Sequence, residues 1–221
     1  MMKIIIINGS PRKNGATAQI LRAMEKRLSE KGAETEIINI SDLKISACQG
    51  CCSCYKTGRC FLEDDGESLS DKIAAADGLI IGSPTYASNV SGQLKQFIDR
   101  GHFVIEQLLY GKYAVSVASG ENYGSSDASK ILTKLLKYSG AKMSGKIILN
   151  LPFGSSLTDN FSGRIISVSD KLFSDISSGR MYIFQSLVHK IIFNIGIKPF
   201  VKNKGESYSG VISKWKRYGI I

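Results

Sequence analysis

Lys3-Ile4-Ile5-Ile6-Ile7-Asn8-Gly9-Ser10-Pro11-Arg12-Lys13-Asn14-Gly15-Ala16-Thr17 is the stretch that decides the fold. Ile4 to Ile7 are β-branched and apolar without any polar alternation, the mark of a strand buried on both faces. Gly9 to Gly15 break that strand. From Ala16 to Lys31 the apolar residues Ile20, Leu21, Met24 and Leu28 fall on one stripe, and Gly32 stops the helix they define.

The same alternation repeats along the chain. Strands are expected at Glu34 to Asn39, Gly78 to Gly82, Tyr113 to Ala118 and Lys146 to Leu151. Helices are expected at Ser68 to Ala76, from Gln93 to Arg100, and at Ser126 to Tyr138. Strands that alternate with helices predict an α/β fold: a doubly wound, five-stranded parallel sheet with helices on both faces. After Pro152 the pattern changes. Residues 158–178 read as a polar helix, 181–195 as a helix with an apolar side, and the tail from Lys198 as basic and weakly patterned. The expected organisation is one domain over residues 1–180 and a basic C-terminal helical extension over 181–221.

Composition sets the class. Of 221 residues, 43% are hydrophobic and 22% charged, as in globular proteins with a packed core. The net charge of +10 favours an anionic partner, surface or ligand. It is uneven: from His189 onward seven Lys or Arg stand against one acid, Glu206. No apolar run has the length of a signal h-region or of a membrane span. A cytoplasmic protein is therefore expected, with reduced cysteines, no membrane partner and no specific nucleic acid.

Three loops at the carboxyl ends of strands have unusual composition, and such ends are where parallel sheets bind ligands. The first, Gly9 to Thr17, joins a buried strand to a helix N-terminus, where free N–H groups and the helix dipole favour an anion. Ser10, Asn14 and Thr17 add donors and Arg12 adds charge. Ala16 follows Gly15 where a triphosphate-binding loop needs lysine, and a Gly-x-Gly-x-x-Gly fingerprint is absent. A helix merely capped by Asn14 is the alternative. The second loop, Gly82-Ser83-Pro84-Thr85-Tyr86-Ala87-Ser88-Asn89-Val90-Ser91-Gly92, has an aromatic flanked by hydroxyls and an amide, which suits a flat heteroaromatic ring. The third, Ser119-Gly120-Glu121-Asn122-Tyr123-Gly124-Ser125, is glycine-rich where a ring edge would approach. An ordinary turn and a flexible connection are the alternatives for these two.

Gly-Ser-Pro-Arg-x-Asn-Gly-x-Thr paired with Gly-Ser-Pro-Thr-Tyr-x-x-x-Val-Ser-Gly-x-Leu-Lys-x-Phe-Ile-Asp-Arg resembles the NADPH-dependent flavin reductase group of flavodoxin-like proteins, over about Lys3 to Leu151. The resemblance implies a flavodoxin-like fold that binds FMN. It puts phosphate contacts on Ser10, Arg12, Asn14, Gly15 and Thr17. Ring contacts fall on Pro84, Thr85, Tyr86, Asn89 and Ser91, with Ser119, Gly120 and Gly124 closing the other edge. It further implies NAD(P)H as electron donor, a small-molecule or protein acceptor, and a homodimer or homotetramer. No catalytic side chain is expected, because the flavin carries the chemistry. The alternative is a non-enzymatic flavin electron carrier serving an acidic partner such as a ferredoxin.

Five cysteines crowd into residues 48–60. Cys48, Cys51, Cys54 and Cys60 read as Cys-x2-Cys-x2-Cys-x5-Cys, and four thiolates on a compact loop suit a [4Fe–4S] cluster. The spacing, and Phe61-Leu62-Glu63-Asp64-Asp65 after it, resemble the iron–sulfur flavoproteins of the same group. Cys52 is a fifth thiol inside the motif. Zinc and a metal-free thiol loop remain as alternatives. His102 and His189 read as structural or surface residues, and Asp99-Arg100 as a fold-supporting pair. Trp215 is expected to pack the tail onto the body or onto a second subunit.

Overall fold

The computed structural model describes residues 1–121, 123–152 and 159–221, the side chains of Asp159 and Asn160 excepted. Asn122 of the third loop and the first residue of the expected 158–178 helix lie outside the described residues.

Strands β1 (Lys3–Asn8), β2 (Glu34–Asn39), β3 (Gly78–Pro84), β4 (Tyr113–Gly120) and β5 (Lys142–Asn150) pair in parallel in the order β2-β1-β3-β4-β5. This is the flavodoxin-like order, whose reversal point lies between β1 and β3. Ile4 to Ile7 are wholly buried, and their alternation splits the core in two. Ile5 and Ile7 pack toward Ile73, Leu94, Phe97 and Leu132. These come from α3 (Asp65–Ala75), α4 (Gly92–Arg100) and α5 (Ser125–Tyr138). Ile4 and Ile6 pack toward Ile20, Met24, Ile165 and Leu172. Those come from α1 (Ala16–Glu30) and α6 (Asp159–Ser177) on the opposite face.

Two element boundaries differ from the sequence expectation for local reasons. β5 begins at Lys142 rather than Lys146, because the ladder with β4 slips between Ala114 and Val115 and passes over Ser144. Gly145 there reads as a break in the sequence but sits inside a bulged strand. α3 begins at Asp65 rather than Ser68, because the Asp64 carboxylate caps it by accepting from Gly66 N at 3.0 Å.

The C-terminal extension is helical, as expected, and the structure supplies the helix bounds that the weak pattern from Lys198 leaves open. The remaining helices are α2 (Ser53–Thr57) in the cysteine loop and then α7 (Ile183–Ile191), α8 (Lys198–Asn203) and α9 (Ser209–Arg217). A π-helical stretch, Ile192–Ile197, joins α7 to α8. It ends just ahead of Pro199, whose ring would clash with the Ile195 carbonyl in a tight α-helical turn. Trp215 is fully buried, packs on Phe193 at 4.9 Å between ring centroids, and donates from Nε1 to Ile105 O at 3.0 Å. The tail thus folds back onto its own body through this indole. Ile183, Phe184, Leu187 and Ile191 of α7 are exposed.

Removing the indole would leave a cavity and an unpaired Ile105 carbonyl. Trp215→Ala should cost about 3–5 kcal/mol in urea unfolding. A loss under about 1 kcal/mol would mean that the tail contributes little to the fold.

Candidate functional site

The carboxyl ends of β1, β3 and β4 enclose a cleft of about 700 Å³, within the usual range for a small-molecule site. Its floor is the start of α1. Asn14 does not cap this helix: Gly15 occupies the cap position without a side-chain bond, and the first turn carries no acid. The helix N-terminus therefore opens into the cleft with its N–H groups and dipole uncompensated by a side chain, the arrangement that attracts an anion. The loop before it is fixed internally. Ser10 N donates to Asn8 Oδ1 at 3.1 Å, Arg12 N donates to Ser10 Oγ at 3.1 Å, and Arg22 donates to Lys13 O at 2.6 Å.

The first and third loops are joined by a buried hydrogen bond between Thr17 Oγ1 and Ser119 Oγ at 2.6 Å. The second and third are joined by Thr85 N donating to Ser119 O at 2.7 Å. Tyr86 is 45% exposed on a turn closed by reciprocal backbone bonds with Asn89 at 3.0 Å. Ala87 and Ser88 at its tip both have positive φ, 48° and 59°. Left-handed backbone at non-glycine residues is strained, and it accumulates at ligand sites. Thr85 Oγ1 lines the same cleft, buried and without a partner. Ser125 Oγ, also buried and without a partner, lies behind Gly120. A Cβ on Gly120 would lie 2.3 Å from Ser125 Oγ. Only glycine fits against Ser125 at that edge of the cleft.

The structure brings Ser10, Arg12, Asn14, Gly15, Thr17, Pro84, Thr85, Tyr86, Ser119 and Gly120 onto one cleft. Asn89, Ser91 and Gly124 stand behind its wall. The Asn89 carboxamide accepts from Val90 N at 2.8 Å. Ser91 is wholly buried, donates to Gly9 O at 2.6 Å and accepts from Leu94 N at 3.2 Å, so it caps α4 and ties the first loop to the second. Gly124, at φ +84°, lets the third loop pass close to Ser88. Sequence reasoning did not single out Gln19, Leu151 and Pro152, which also line the cleft. Gln19 had a usable signal, since it lies one helical turn beyond Gly15.

A second cavity, of about 310 Å³, is lined by all five cysteines together with Leu62, Arg100, His102 and Phe103. Cys48, Cys51 and Cys52 are exposed, and Cys54 and Cys60 half-buried. Cys52 has a positive φ of 60° and directs its thiol to Gly50 O at 3.5 Å. Among the described residues no three Cys, His, Asp or Glu side chains converge on one metal ion. The loop is held from both sides. Tyr55 stacks on Tyr208 at 4.6 Å, Ser209 Oγ donates to Lys56 O at 3.0 Å, and Cys60 N donates to Glu67 Oε2 at 3.1 Å.

Residues 2–155 match the NADPH-dependent FMN reductase family. The chain belongs to that family. It is 35% identical over 225 residues to an iron–sulfur flavoprotein of Clostridioides difficile (strain 630), covering 100% of both chains. To an iron–sulfur flavoprotein of Methanocaldococcus jannaschii it is 38% identical over 128 residues, 56% of this chain and 65% of that protein. Among solved structures it is similar to an apo NADH:FMN oxidoreductase, with a TM-score of 0.62 at 22% identity over 80% of this chain and 91% of that one. It is also similar to an archaeal flavodoxin, with a TM-score of 0.55 at 14% identity over 80% and 99%. These two likenesses are of fold. Among the described residues, no helix is long and apolar enough to cross a membrane.

Beside the cysteine cavity this flavin reductase relative buries a charged cluster. Asp99 and Arg100 do not pair with each other: Asp99 meets Lys95 at 2.5 Å, and Arg100 meets Asp64. Lys214 of the tail reaches Glu106 at 2.6 Å and Glu67 at 3.9 Å, so part of the tail's charge is spent inside the protein. Burial pushes the Glu106 carboxyl up to about 7 against the pull of Lys214, and pushes the Cys54 thiol up to about 11. Asp64, hydrogen-bonded by Arg100 and by Ser46 N and Gly66 N, is held down at about 2 despite its burial. His189 Nε2 donates to Gln107 Oε1 at 2.6 Å and has a structural part.

Burial pushes the His102 imidazole down to about 4, and the Lys214 and Arg100 charges act in the same direction. Glu106 and Glu67, at 3.3 and 3.8 Å, oppose this without reversing it. At this group the unfolded chain binds more protons than the folded one between pH 6.5 and 4, so the imidazole contributes a rise of stability with pH across that window, against the opposite contribution of the raised Glu106 carboxyl. His102→Gln should flatten the rise. Relative to that variant, the wild type should lose up to about 3 kcal/mol between pH 6.5 and pH 4. Parallel urea-unfolding profiles for the two proteins would exclude this titration.

Proposed function

We propose that the protein is an FMN-dependent NAD(P)H oxidoreductase of the flavin or quinone reductase type, which relays electrons through a [4Fe–4S] cluster at Cys48, Cys51, Cys54 and Cys60. The observation that carries the flavin half is the uncapped N-terminus of α1 opening into a cleft whose other end holds the unpartnered Thr85 hydroxyl and the bare edge of Gly120. An anionic group suits one end and a flat polar ring edge the other, which is the shape and chemistry of FMN. Bound there, FMN supplies hydride acceptance and electron transfer.

The chain's own residues then bind and orient. Backbone N–H groups at Ala16 and Thr17 would meet the phosphate, with Ser10, Arg12, Asn14 and Gly15 around it, while the Gly15 N–H holds the loop by donating to Arg12 O at 3.1 Å. The Thr17–Ser119 hydrogen bond keeps the phosphate loop and the ring-edge loop at a fixed separation. Pro84, Thr85 and Tyr86 line one side of the ring position, and Ser119 and Gly120 the other. Asn89, Ser91 and Gly124 act from behind, by holding the loops that make these walls.

The donor set of the second cavity suits an iron–sulfur cluster: five thiols around one space, on one compact loop, with a buried guanidinium beside them. A cluster spreads its ligating sulfurs over several irons, so it does not need three of them to converge on one point, as zinc does. Bound there, it supplies single-electron exchange with an acceptor. Cys52, strained and turned toward Gly50, is the thiol left out. The second reading is a flavin electron carrier that takes electrons from an acidic protein such as a ferredoxin, and the net charge of +10 favours it. Oxidation of NADPH or NADH by the pure protein separates the two.

FMN should bind at least tenfold more tightly than riboflavin in fluorescence titration. Asn14→Ala with Thr17→Ala should weaken FMN far more than riboflavin. Equal affinity for the two flavins would sink the phosphate assignment.

Anaerobic purification or reconstitution should yield about four irons per chain, with broad absorption under the flavin bands. Serine at Cys48, Cys51, Cys54 or Cys60 should abolish it while FMN remains. Cys52→Ser should keep the iron. Full FMN without iron in the wild type would reject the cluster, and loss of iron on Cys52→Ser alone would reject this ligand set.

A further inference from the structure

Arg100 ends α4 with only 2% of its side chain exposed, and it lines the cysteine cavity. Its Nη1 donates to the Asp64 carboxylate and, at 3.2 Å, to Ser46 O. Its Nε and Nη2 are buried and have no hydrogen-bond partner. Buried donors are rarely left unpaired, and the group beside this guanidinium is the Cys60 sulfur, a weak acceptor as a thiol and a strong one as a ligating thiolate. Burial works against the charge, but Asp64 and then the neighbouring Cys60 sulfur more than offset it and hold the guanidinium charged. Room for its plane comes from Gly66, where a Cβ would lie 3.3 Å from Cζ and Nη2. A lysine would serve the Asp64 pair as a point charge. Only the planar fork of arginine adds further donors at fixed angles.

We propose that Arg100 is the positioning residue of the cysteine cavity, its unpaired Nε and Nη2 donating to the sulfur of a negatively charged, thiolate-ligated iron–sulfur cluster and raising that cluster's reduction potential. The proposal rests on the cluster reading above. Hydrogen bonds to cluster or ligand sulfur favour the more reduced, more negative state. Arg100 touches no part of the flavin cleft, so its effect is confined to the second cavity.

The test compares the full-length wild type with Arg100→Lys, both reconstituted anaerobically. The readouts are FMN content, iron content, and the cluster midpoint potential from a dye-equilibrated titration followed by electron paramagnetic resonance. Arg100→Lys keeps a cation opposite Asp64 and gives up the fork. It should retain FMN, while at a fixed potential the oxidised-to-reduced ratio of the cluster rises about tenfold, which for a one-electron couple is a midpoint 59 mV more negative. A wild-type midpoint in a variant that is only thermally weaker would make Arg100 a structural ion-pair partner and overturn the proposal. Should Arg100→Lys fail to fold, Arg100→Met with Asp64→Asn, which leaves no lone buried charge, carries the same expectation and the same refutation. A wild type that takes up no iron overturns the cluster reading itself, and that result is seen before any variant is compared.

Discussion

The burial of β1 on both faces is the constraint from which the site follows. Ile4 to Ile7 have no solvent side, so helices must cover the sheet above and below. Right-handed crossovers then send the chain from β1 out to β2 on one side and from β3 out to β4 on the other. The loops after β1 and β3 diverge from adjacent strand ends and leave a crevice between them. Ser91 is the pin across it: a hydroxyl with no exposure that caps α4, accepts the Leu94 amide proton and donates to Gly9 O. A residue outside the cleft's lining thereby sets the distance between the two halves of the cleft.

The cysteine loop rests on different physics. It carries few apolar side chains and sits outside the sheet, so its shape comes from what surrounds it. Asp64 serves three neighbours at once, as cap of α3, as acceptor from Ser46 N and as partner of Arg100. From the other side the tail supplies the Tyr208 ring, the Ser209 hydroxyl and the Lys214 ammonium. Trp215 anchors that tail in a small core of its own with Phe193, Val201 and Val211. Much of the basic extension therefore serves as a brace for the loop, a part that its charge alone does not suggest.

How much of this was legible depends on whether the signal was local. The strands of the sheet and the three ligand loops could be read because buried β-branched runs and glycine-rich strand ends are local patterns, while the flavodoxin-like arrangement came with the family resemblance. The bulged start of β5 could not, since Gly145 looks like a terminator until its pairing with Val115 is known. That the extension is helical could be read, but the bounds of its helices could not, because Lys and Tyr cover a core of four residues drawn from widely spaced positions. Ser91 was picked out as a ring contact from its place in a motif, and its part as a pin between loops needed the structure. Arg100 was read with its sequence neighbour Asp99, while its partner is Asp64, thirty-six positions away.

α4 links these two regions, and its length fixes their separation. Its N-terminus is capped by Ser91 at the cleft, and its C-terminus delivers Arg100 to the cysteine cavity. Nine residues of helix span about 13 Å, and Leu94 and Phe97 hold the middle of it in the core without exposure. A strut buried along its length cannot shorten or tilt without opening that core, because a close-packed interior resists small displacements. The two cavities are therefore coupled in position and separate in chemistry. Side chains at one end of α4 can be exchanged without reshaping the other end, and any passage of electrons between the ends within one chain would run over a distance that packing, rather than ligand binding, has set.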